Sequence, residues 1–228
     1  MNISLTALIA LSSAKTNNYV HRRLVNIPDS FDWRPDLVGP VQKQGHCQSC
    51  WAFSAAGSID YLVKKDHPDL SVDVQALLDC TPHTMGCEGG VMGSVFEYTG
   101  IFPLRSTQHY TGVKHKCEQA HKGVTVKDYK VIMSNPEQYL DYIVHQYGPI
   151  AVAIDSRRLG SYKGGIIRKC GTDPNHAVVV VGYTPDYWIV KNSHGTKWGD
   201  KGYGYIARSG NVCGINTYAA FATEIEYK

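Results

Sequence analysis

The segment from Gln44 to Trp51 constrains the fold most, because it joins a glycine turn to the start of a helix. It reads QGHCQSCW, and apolar residues follow it at helical spacing, at Ala52, Ala56, Ile59 and Val63. Cys50 is therefore predicted to lie at the N-terminus of a helix that runs from about Ser49 to Lys65. Unpaired backbone N–H groups and the helix dipole favour an anion at that end. A thiol there has more of its nucleophilic thiolate form, so Cys50 is the candidate nucleophile.

This segment resembles the active-site segment of papain-family cysteine proteases, except that Gln48 stands where the family usually has glycine. The segment from Ile27 to Arg34 resembles the start of the mature enzyme. The block Asn192-Ser193-x-Gly195-x-x-Trp198-Gly199-x-x-Gly202-Tyr203 resembles the family's block for the orienting asparagine. The resemblance extends from about 27 to 225 and is strongest to cathepsin L-like members. The segment 186–207 is also similar to mite digestive proteases of the group 1 allergen type.

A thiolate protease needs a base, a group that orients the base, and an oxyanion hole. His176 lies at the mouth of a predicted buried strand, and the resemblance makes it the candidate base. Alone, such a histidine is more often structural. The amide oxygen of Asn192 would orient the imidazole. Gln44 stands where the family has its oxyanion glutamine, which acts together with the backbone N–H of Cys50.

Seven cysteines are an odd count, and three disulfides plus one free thiol suit an oxidising compartment. Sequence alone cannot choose among the possible pairings, and a reduced cytosolic protein is the alternative. The resemblance implies the pairs Cys47–Cys87, Cys80–Cys117 and Cys170–Cys213, with Cys50 free. Zinc at Cys47 and Cys50 is disfavoured because no second Cys/His pair has finger spacing. Neither a metal nor a cofactor is expected.

Substrate-binding residues also follow from the resemblance. The loop with Gly89 and Gly90 would pair with an extended peptide, since a side chain there would block close backbone approach. The pocket for the second residue before the cut would be lined by Val91, Met92, Ala153, Ala177 and Tyr218. That lining predicts a hydrophobic preference, and Tyr218 at its base would shorten the pocket or accept a hydrogen bond. Trp198 would flank the primed side.

Two further features bear on the type of activity. The Cys80–Cys117 spacing leaves no room for the occluding insertion of cathepsin B-like enzymes, which favours an endopeptidase. His194 replaces the tryptophan that shields the His–Asn hydrogen bond in the family, so the catalytic pair is expected to be less protected and to lose activity as His194 protonates.

The chain has 228 residues, of which 43% are hydrophobic, so a packed core is expected. The net charge of +3, without a Lys/Arg run, does not favour binding of nucleic acid.

Residues 1–14 resemble a secretory signal that is too short to span a membrane. We expect residues 1–26 to be a candidate signal peptide plus short leader, and residues 27–228 to be the peptidase domain. A family propeptide would need more residues than precede Ile27; a longer precursor or a different mode of control would each account for this.

A helix-rich first half and a strand-rich second half predict an α+β fold with two lobes. The resemblance implies a papain-like fold, with a helical lobe at about 36–125, an antiparallel β-barrel-like lobe at about 126–228, and the active-site cleft between them. Further helices are predicted from an Asp73 or Ser71 cap to Cys80, over 93–98, and from Asn135-Pro136 to Gly148. Strands are predicted at 150–154, 177–181, 188–190, 203–207 and 219–225.

These features predict a secreted or lysosomal/vacuolar cysteine endopeptidase, monomeric, without membrane or nucleic-acid partners. Its partners would be peptide and protein substrates and, from the family, inhibitors of the cystatin type. A catalytically silent homologue that binds peptides or acts as an antigen is the second hypothesis. A Cys-His acyltransferase such as a transglutaminase is the third, and the cysteine pattern and the small size weigh against it.

Overall fold

The computed structural model describes residues 27–35, 37–107, 109–134 and 137–228. The candidate signal and leader, and the predicted Asn135-Pro136 helix start, lie outside these ranges. The described helices are α1 (Cys50–Asp66), α2 (Val74–Cys80), α3 (Met92–Glu97) and α4 (Glu137–Tyr147). Short 3-10 turns occupy Gly86–Glu88 and Val212–Gly214. Within the described ranges, no helix is both long and apolar enough to cross a membrane.

The described strands are β1 (Phe31–Asp32), β2 (Ser71–Val72), β3 (Leu104–Arg105), β4 (Val124–Met133), β5 (Ile150–Ile154), β6 (Ile166–Ile167), β7 (His176–Tyr183), β8 (Tyr187–Lys191), β9 (Tyr203–Ala207) and β10 (Tyr218–Tyr227). The main sheet has the order β4-β10-β5-β7-β8-β9-β6, and β1 pairs with β7. Its strands pair antiparallel except β6 and β9, which are parallel. The sheet is open, with β4 and β6 at its two edges, so the barrel-like lobe that was expected does not close into a barrel within the described residues.

Strand β4 was absent from the sequence prediction. Only Val124 and Thr125 of its ten residues are buried, and Lys127, Asp128 and Lys130 interrupt any apolar run. The strand forms because it pairs with β10 along nearly its whole length, from Tyr227 to Tyr218. Long-range pairing, rather than local propensity, therefore determines this element.

Helix α1 lies at the junction of the two hydrophobic cores. It packs against β5, β7 and β10, and the sheet presents small residues to it, among them Ala151, Ala177 and Ala220. At Gly57 a Cβ atom would lie 2.7 Å from Val179, so the helix and sheet are in close contact. The second core lies between α4 and the sheet and includes Leu140 and Trp188. The first residue of α1 is thereby held at the seam between the lobes.

Helix ends follow from specific residues. Asp73 caps α2, because its carboxylate accepts a hydrogen bond from the Gln75 N–H at 3.0 Å, as predicted. Gly148 ends α4 with φ +95°, a conformation that disfavours other residues, and its N–H donates to the Val144 carbonyl.

Three disulfides staple the fold. They join Cys47 to Cys87, Cys80 to Cys117, and Cys170 to Cys213, which are the pairs that the resemblance implies. Since the chain has seven cysteines, Cys50 is the single free thiol.

Candidate active site

Cys50 is the first residue of α1, as the sequence predicts, and is partly exposed. The preceding Ser49 is buried and its side chain does not cap the helix; its hydroxyl instead lies 2.6 Å from the Tyr110 hydroxyl. The turn before it is fixed by Gly45 at φ +67° and by a hydrogen bond from the Gln48 N–H to the Cys87 carbonyl. Gln48 itself is exposed and its φ is not positive, so replacing glycine introduces no backbone strain there.

The imidazole of His176 is held by Asn192. His176 begins β7, Asn192 follows the last residue of β8, and the two strands are antiparallel neighbours, so both residues lie at one end of the sheet. The Nε2 atom lies 2.8 Å from the Asn192 Oδ1 atom, and both side chains are buried. Because Oδ1 can only accept, Nε2 carries the proton and Nδ1 keeps its lone pair. The Ser193 N–H also donates to this Oδ1 atom, which fixes the amide orientation.

Cys50 and His176 line the same groove between the lobes. The backbone N–H of Ala177, the residue after His176, donates to the Cys50 thiol. This hydrogen bond brings the start of β7 directly to the start of α1. The groove therefore combines a free thiol with an imidazole whose Nδ1 is available as a base.

Burial acts against charge on each member of this pair. It raises the pKa of the Cys50 thiol, while the backbone N–H groups of Ala177, Trp51 and Cys50 itself act in the opposite direction. The helix end therefore does not outweigh desolvation, contrary to the expectation of more thiolate. For His176, burial lowers the pKa to about 4, the Asn192 hydrogen bond raises it, and the charge on His194 lowers it. Each group alone is neutral near pH 7, and a charged state requires proton transfer from one to the other.

Gln44 lines the same groove as Cys50 and is held through both its side chain and its backbone. Its side-chain N–H donates to the Cys47 carbonyl at 2.9 Å, and its Oε1 atom accepts from the Ser193 hydroxyl at 2.6 Å. Its backbone N–H donates to the Ser193 carbonyl. The amide nitrogen has two N–H groups, so a second donor remains for a bound oxyanion.

His194 covers the imidazole from the solvent side. Its ring centroid lies 4.8 Å from that of His176 and 6.2 Å from that of Trp198. The side chain is exposed. A titratable ring thus stands directly against the histidine of the candidate pair.

The groove contains seven of the eight predicted substrate-binding residues. They are Gly89, Gly90, Val91, Met92, Ala153, Ala177 and Tyr218. The eighth, Trp198, is buried beside this groove, and its indole N–H donates to the Leu159 carbonyl at 2.8 Å.

Backbone conformation and packing also explain why glycine occupies positions 89 and 90. Gly89 adopts φ +125°, and a Cβ atom on Gly90 would lie 2.8 Å from the Trp51 indole. The Tyr218 hydroxyl accepts a hydrogen bond from the Gly93 N–H in the first turn of α3. This bond holds the tyrosine ring in the lining of the groove.

Two supporting residues escaped sequence analysis. The Ser193 hydroxyl holds the Gln44 side chain. Ser193 lies inside the Asn192 block, so the sequence block includes this residue but does not indicate its contact with Gln44. The Tyr110 hydroxyl contacts Ser49 and donates to the Gln44 carbonyl at 3.0 Å; no local pattern identifies it. Within the described part of the chain, no group of three or more His, Cys, Asp or Glu side chains is placed to hold a metal ion, and Cys47 is engaged in a disulfide.

Comparisons with known proteins agree with this geometry. The family "Papain family cysteine protease" matches residues 27–223. Mouse cathepsin K is 38% identical over 212 residues, covering 86% of this chain and 64% of its own length. The cathepsin L-like proteinase of Fasciola hepatica is 39% identical over 211 residues, covering 85% of this chain and 65% of its own. The chain therefore spans less than two thirds of the length of these relatives.

The solved structure of the Carica candamarcensis cysteine protease CMS1MS2, in complex with E-64, superposes with a TM-score of 0.81 at 35% identity. The match covers 87% of this chain and 99% of that one. The chain belongs to the papain family of cysteine proteases, on its cathepsin L-like side.

Proposed function

We propose that the protein is a cysteine endopeptidase that uses Cys50 as nucleophile, His176 as general acid and base, and Asn192 to orient the imidazole. The observation that carries the proposal is the 2.8 Å hydrogen bond from Nε2 to Asn192, which leaves Nδ1 as the acceptor nitrogen in the groove that holds Cys50. Gln44, the proposed oxyanion donor, lines the same groove.

The proposed reaction begins with transfer of the thiol proton from Cys50 to Nδ1 of His176. The Sγ atom attacks the scissile carbonyl carbon, and the oxyanion is bound by the second side-chain N–H of Gln44 and the backbone N–H of Cys50. The C–N bond breaks as Nδ1 returns its proton to the leaving amine. Water then attacks the thioester carbon and gives a proton to Nδ1. The C–S bond breaks, the peptide leaves as the carboxylic acid, and Nδ1 returns the proton to Sγ to regenerate the thiol.

The proposed specificity follows from the pocket between the lobes. Met92, Ala153 and Ala177 line this groove and would give the pocket apolar walls, and Tyr218, held by Gly93, would form its floor. We expect a hydrophobic side chain at the second position before the cut, of limited length because the tyrosine is fixed. The exposed side chain of Val91 forms the pocket rim.

The cellular location, the partners and the oligomeric state of the protein are also proposals. The three disulfides suit a secreted or lysosomal/vacuolar location. Peptides and proteins would be the substrates, inhibitors of the cystatin type would be protein partners, and the chain would act as a monomer.

A catalytically silent, peptide-binding homologue is the second candidate. The observation that favours it is the exposed His194 ring, 4.8 Å from the His176 ring between centroids, because it leaves the His176–Asn192 hydrogen bond less shielded from water than the tryptophan expected there. The groove would still bind an extended peptide.

One experiment separates the two candidates. The protein is treated with a peptidyl epoxide such as E-64 and its intact mass is measured, beside a Cys50→Ala control. One adduct on the protein and none on the control is expected for a competent nucleophile. Folded protein that stays unmodified, and leaves a quenched peptide uncut, would contradict the endopeptidase proposal and favour peptide binding.

A further inference from the structure

A second depression, lined by basic side chains, lies beside the candidate active site. Its charged lining consists of Arg157, Arg158, Arg168, Lys169 and Asp155. Asp155 is buried and paired with Arg157, which also lies 3.5 Å from Asp173, so Arg157 is largely neutralised. The other three basic side chains are exposed, and no ion pair in the described chain engages them. Their charge is concentrated in a concavity, whereas the whole chain carries only +3.

The depression and the groove are built from the same two segments. Residues 153–158 place Ala153 in the groove and Arg158 in the depression. Residues 170–176 likewise place Thr172 in the depression and His176 in the groove. The Asn175 side chain joins the segments, because its Oδ1 atom accepts from the N–H and the hydroxyl of Ser156, both at 2.9 Å.

A chain of contacts links His176 to the depression without passing through the lining of the apolar pocket. The apolar pocket is lined by Ala153, Ala177 and Tyr218. A separate set of contacts leads away from His176: His194 contacts His176, Trp198 contacts His194, and the Trp198 indole donates to the carbonyl of Leu159. Leu159 directly follows Arg158. If the pocket takes the residues before the cut, a substrate continues past His194 and Trp198 towards Arg158.

We propose that this depression, the basic exosite (Arg158, Arg168 and Lys169), selects substrates with acidic residues on the C-terminal side of the cut. The inference rests on the proposed endopeptidase activity and adds a substrate class to it. Side-chain carboxylates a few residues beyond the cut would lie over the exosite and pair with these cations. Such pairs are exposed, so each contributes modestly and is screened by salt.

The test uses three quenched peptides with the same hydrophobic residue at the second position before the cut. One has two acidic residues at the third and fourth positions after the cut, one has the matching amides, and one has the acidic pair well before the cut. We expect kcat/KM for the first peptide to exceed that for the amide peptide roughly threefold to tenfold at low salt, and the advantage to disappear at high salt. The third peptide should show no advantage.

The variant Arg158→Glu with Lys169→Glu should lose the preference and cleave the amide peptide at the wild-type rate. Lys122→Glu, which reverses an exposed charge outside both depressions, is the matched control and should keep the preference. Epoxide titration gives the active fraction of each protein.

The outcomes are distinct. No cleavage of the amide peptide would contradict the proposed function itself. Cleavage of all three peptides at equal rates would overturn the exosite alone. Equal preference for acid on both sides of the cut, or strong inhibition by dextran sulfate that the double variant abolishes without any peptide preference, would show a general polyanion surface and overturn it as well.

Discussion

His194 brings a second titratable ring to the histidine of the proposed pair, with ring centroids 4.8 Å apart. When it is protonated, its charge opposes charge on His176, because like charges disfavour each other. Formation of the proposed thiolate–imidazolium pair then becomes harder as the pH falls. We expect His194→Trp to remain active to lower pH than the wild type, measured as the acid limb of kcat/KM.

His194→Gln separates charge from shielding, since it removes the charge without adding an aromatic cover. If charge is the cause, both variants shift the acid limb. If only the tryptophan variant does, exclusion of water is the cause. If the pH profiles of kcat/KM superimpose for all three proteins, His194 does not influence the acid limb.

The second prediction about a single residue concerns Gln44. Gln44→Ala removes the proposed oxyanion donor, so kcat should fall about 100- to 1,000-fold while KM changes little. Ser193→Ala is the matched control: it removes the hydroxyl that holds the Gln44 Oε1 atom but keeps the donor. Its loss of kcat should be much smaller. Similar kcat values for Gln44→Ala and the wild type, measured with one amide peptide, would exclude this role.

The residues of the site differ in how far sequence reveals them. Cys50, Gln44 and Asn192 stand in recognisable segments, so their positions could be predicted from the family resemblance. The Tyr110–Gln44 contact joins residues distant in sequence and has no local signature. The direction of the Cys50 pKa shift was also out of reach, because a helix N-terminus is visible in sequence and the degree of burial is not.

At the scale of elements, the helices and the buried strands were predictable because their apolar periodicity is local. Helix α1 begins one residue after the predicted start and ends one after the predicted end. Strand β4 shows the limit, since its exposed, charged residues carry a weak pattern and its partner β10 lies at the far end of the chain. The two-residue strand β6 could not be predicted either, because it too depends on pairing with a segment distant in sequence, the parallel strand β9.

The contact between α3 and the start of β10 predicts a change in specificity. Tyr218→Ala removes the floor of the pocket, so longer side chains at the second position before the cut should be accepted. We expect the ratio of kcat/KM for a phenylalanine peptide to that for a valine peptide to rise about tenfold. The ratio is measured with two otherwise identical quenched peptides.

Tyr218→Phe is the control for this variant. It keeps the ring and removes the hydroxyl that accepts from the Gly93 N–H, which should cost about 1 kcal/mol of stability and leave the ratio close to that of the wild type. A specificity ratio that does not change in Tyr218→Ala would mean that Tyr218 does not limit the pocket.

At the scale of the whole molecule, the buried Asp60 and the partly buried Lys191 lie where α1 meets the sheet. The Asp60 carboxylate accepts from the Val72 N–H at 2.7 Å, and the Lys191 ammonium donates to the Gly39 carbonyl at 2.8 Å. Burial raises the pKa of Asp60 to about 6 and lowers that of Lys191 to about 8, while each charge partly offsets the shift of the other. Lys191 directly precedes Asn192, so this cluster adjoins the site.

These pKa shifts give stability opposing dependences on pH. Asp60 has a folded pKa above its unfolded value of 3.8, so its contribution is fully present below that value and is lost as the pH rises through about 6. His176 has a folded pKa of about 4, below its unfolded 6.5, so its contribution is present above pH 6.5 and is lost as the pH falls through 4.

Asp60→Asn isolates the first contribution, because asparagine stays neutral at every pH. Relative to its parent, the variant should gain on the order of 1–3 kcal/mol of unfolding free energy between about pH 4 and pH 7. Urea unfolding measures this, with Cys50→Ala as the parent so that neither protein digests itself. Asp69→Asn, at an exposed carboxylate, should run parallel to the parent. If Asp60→Asn also runs parallel, Asp60 is ionised in the folded protein throughout this range, and Lys191 offsets the whole cost of its burial.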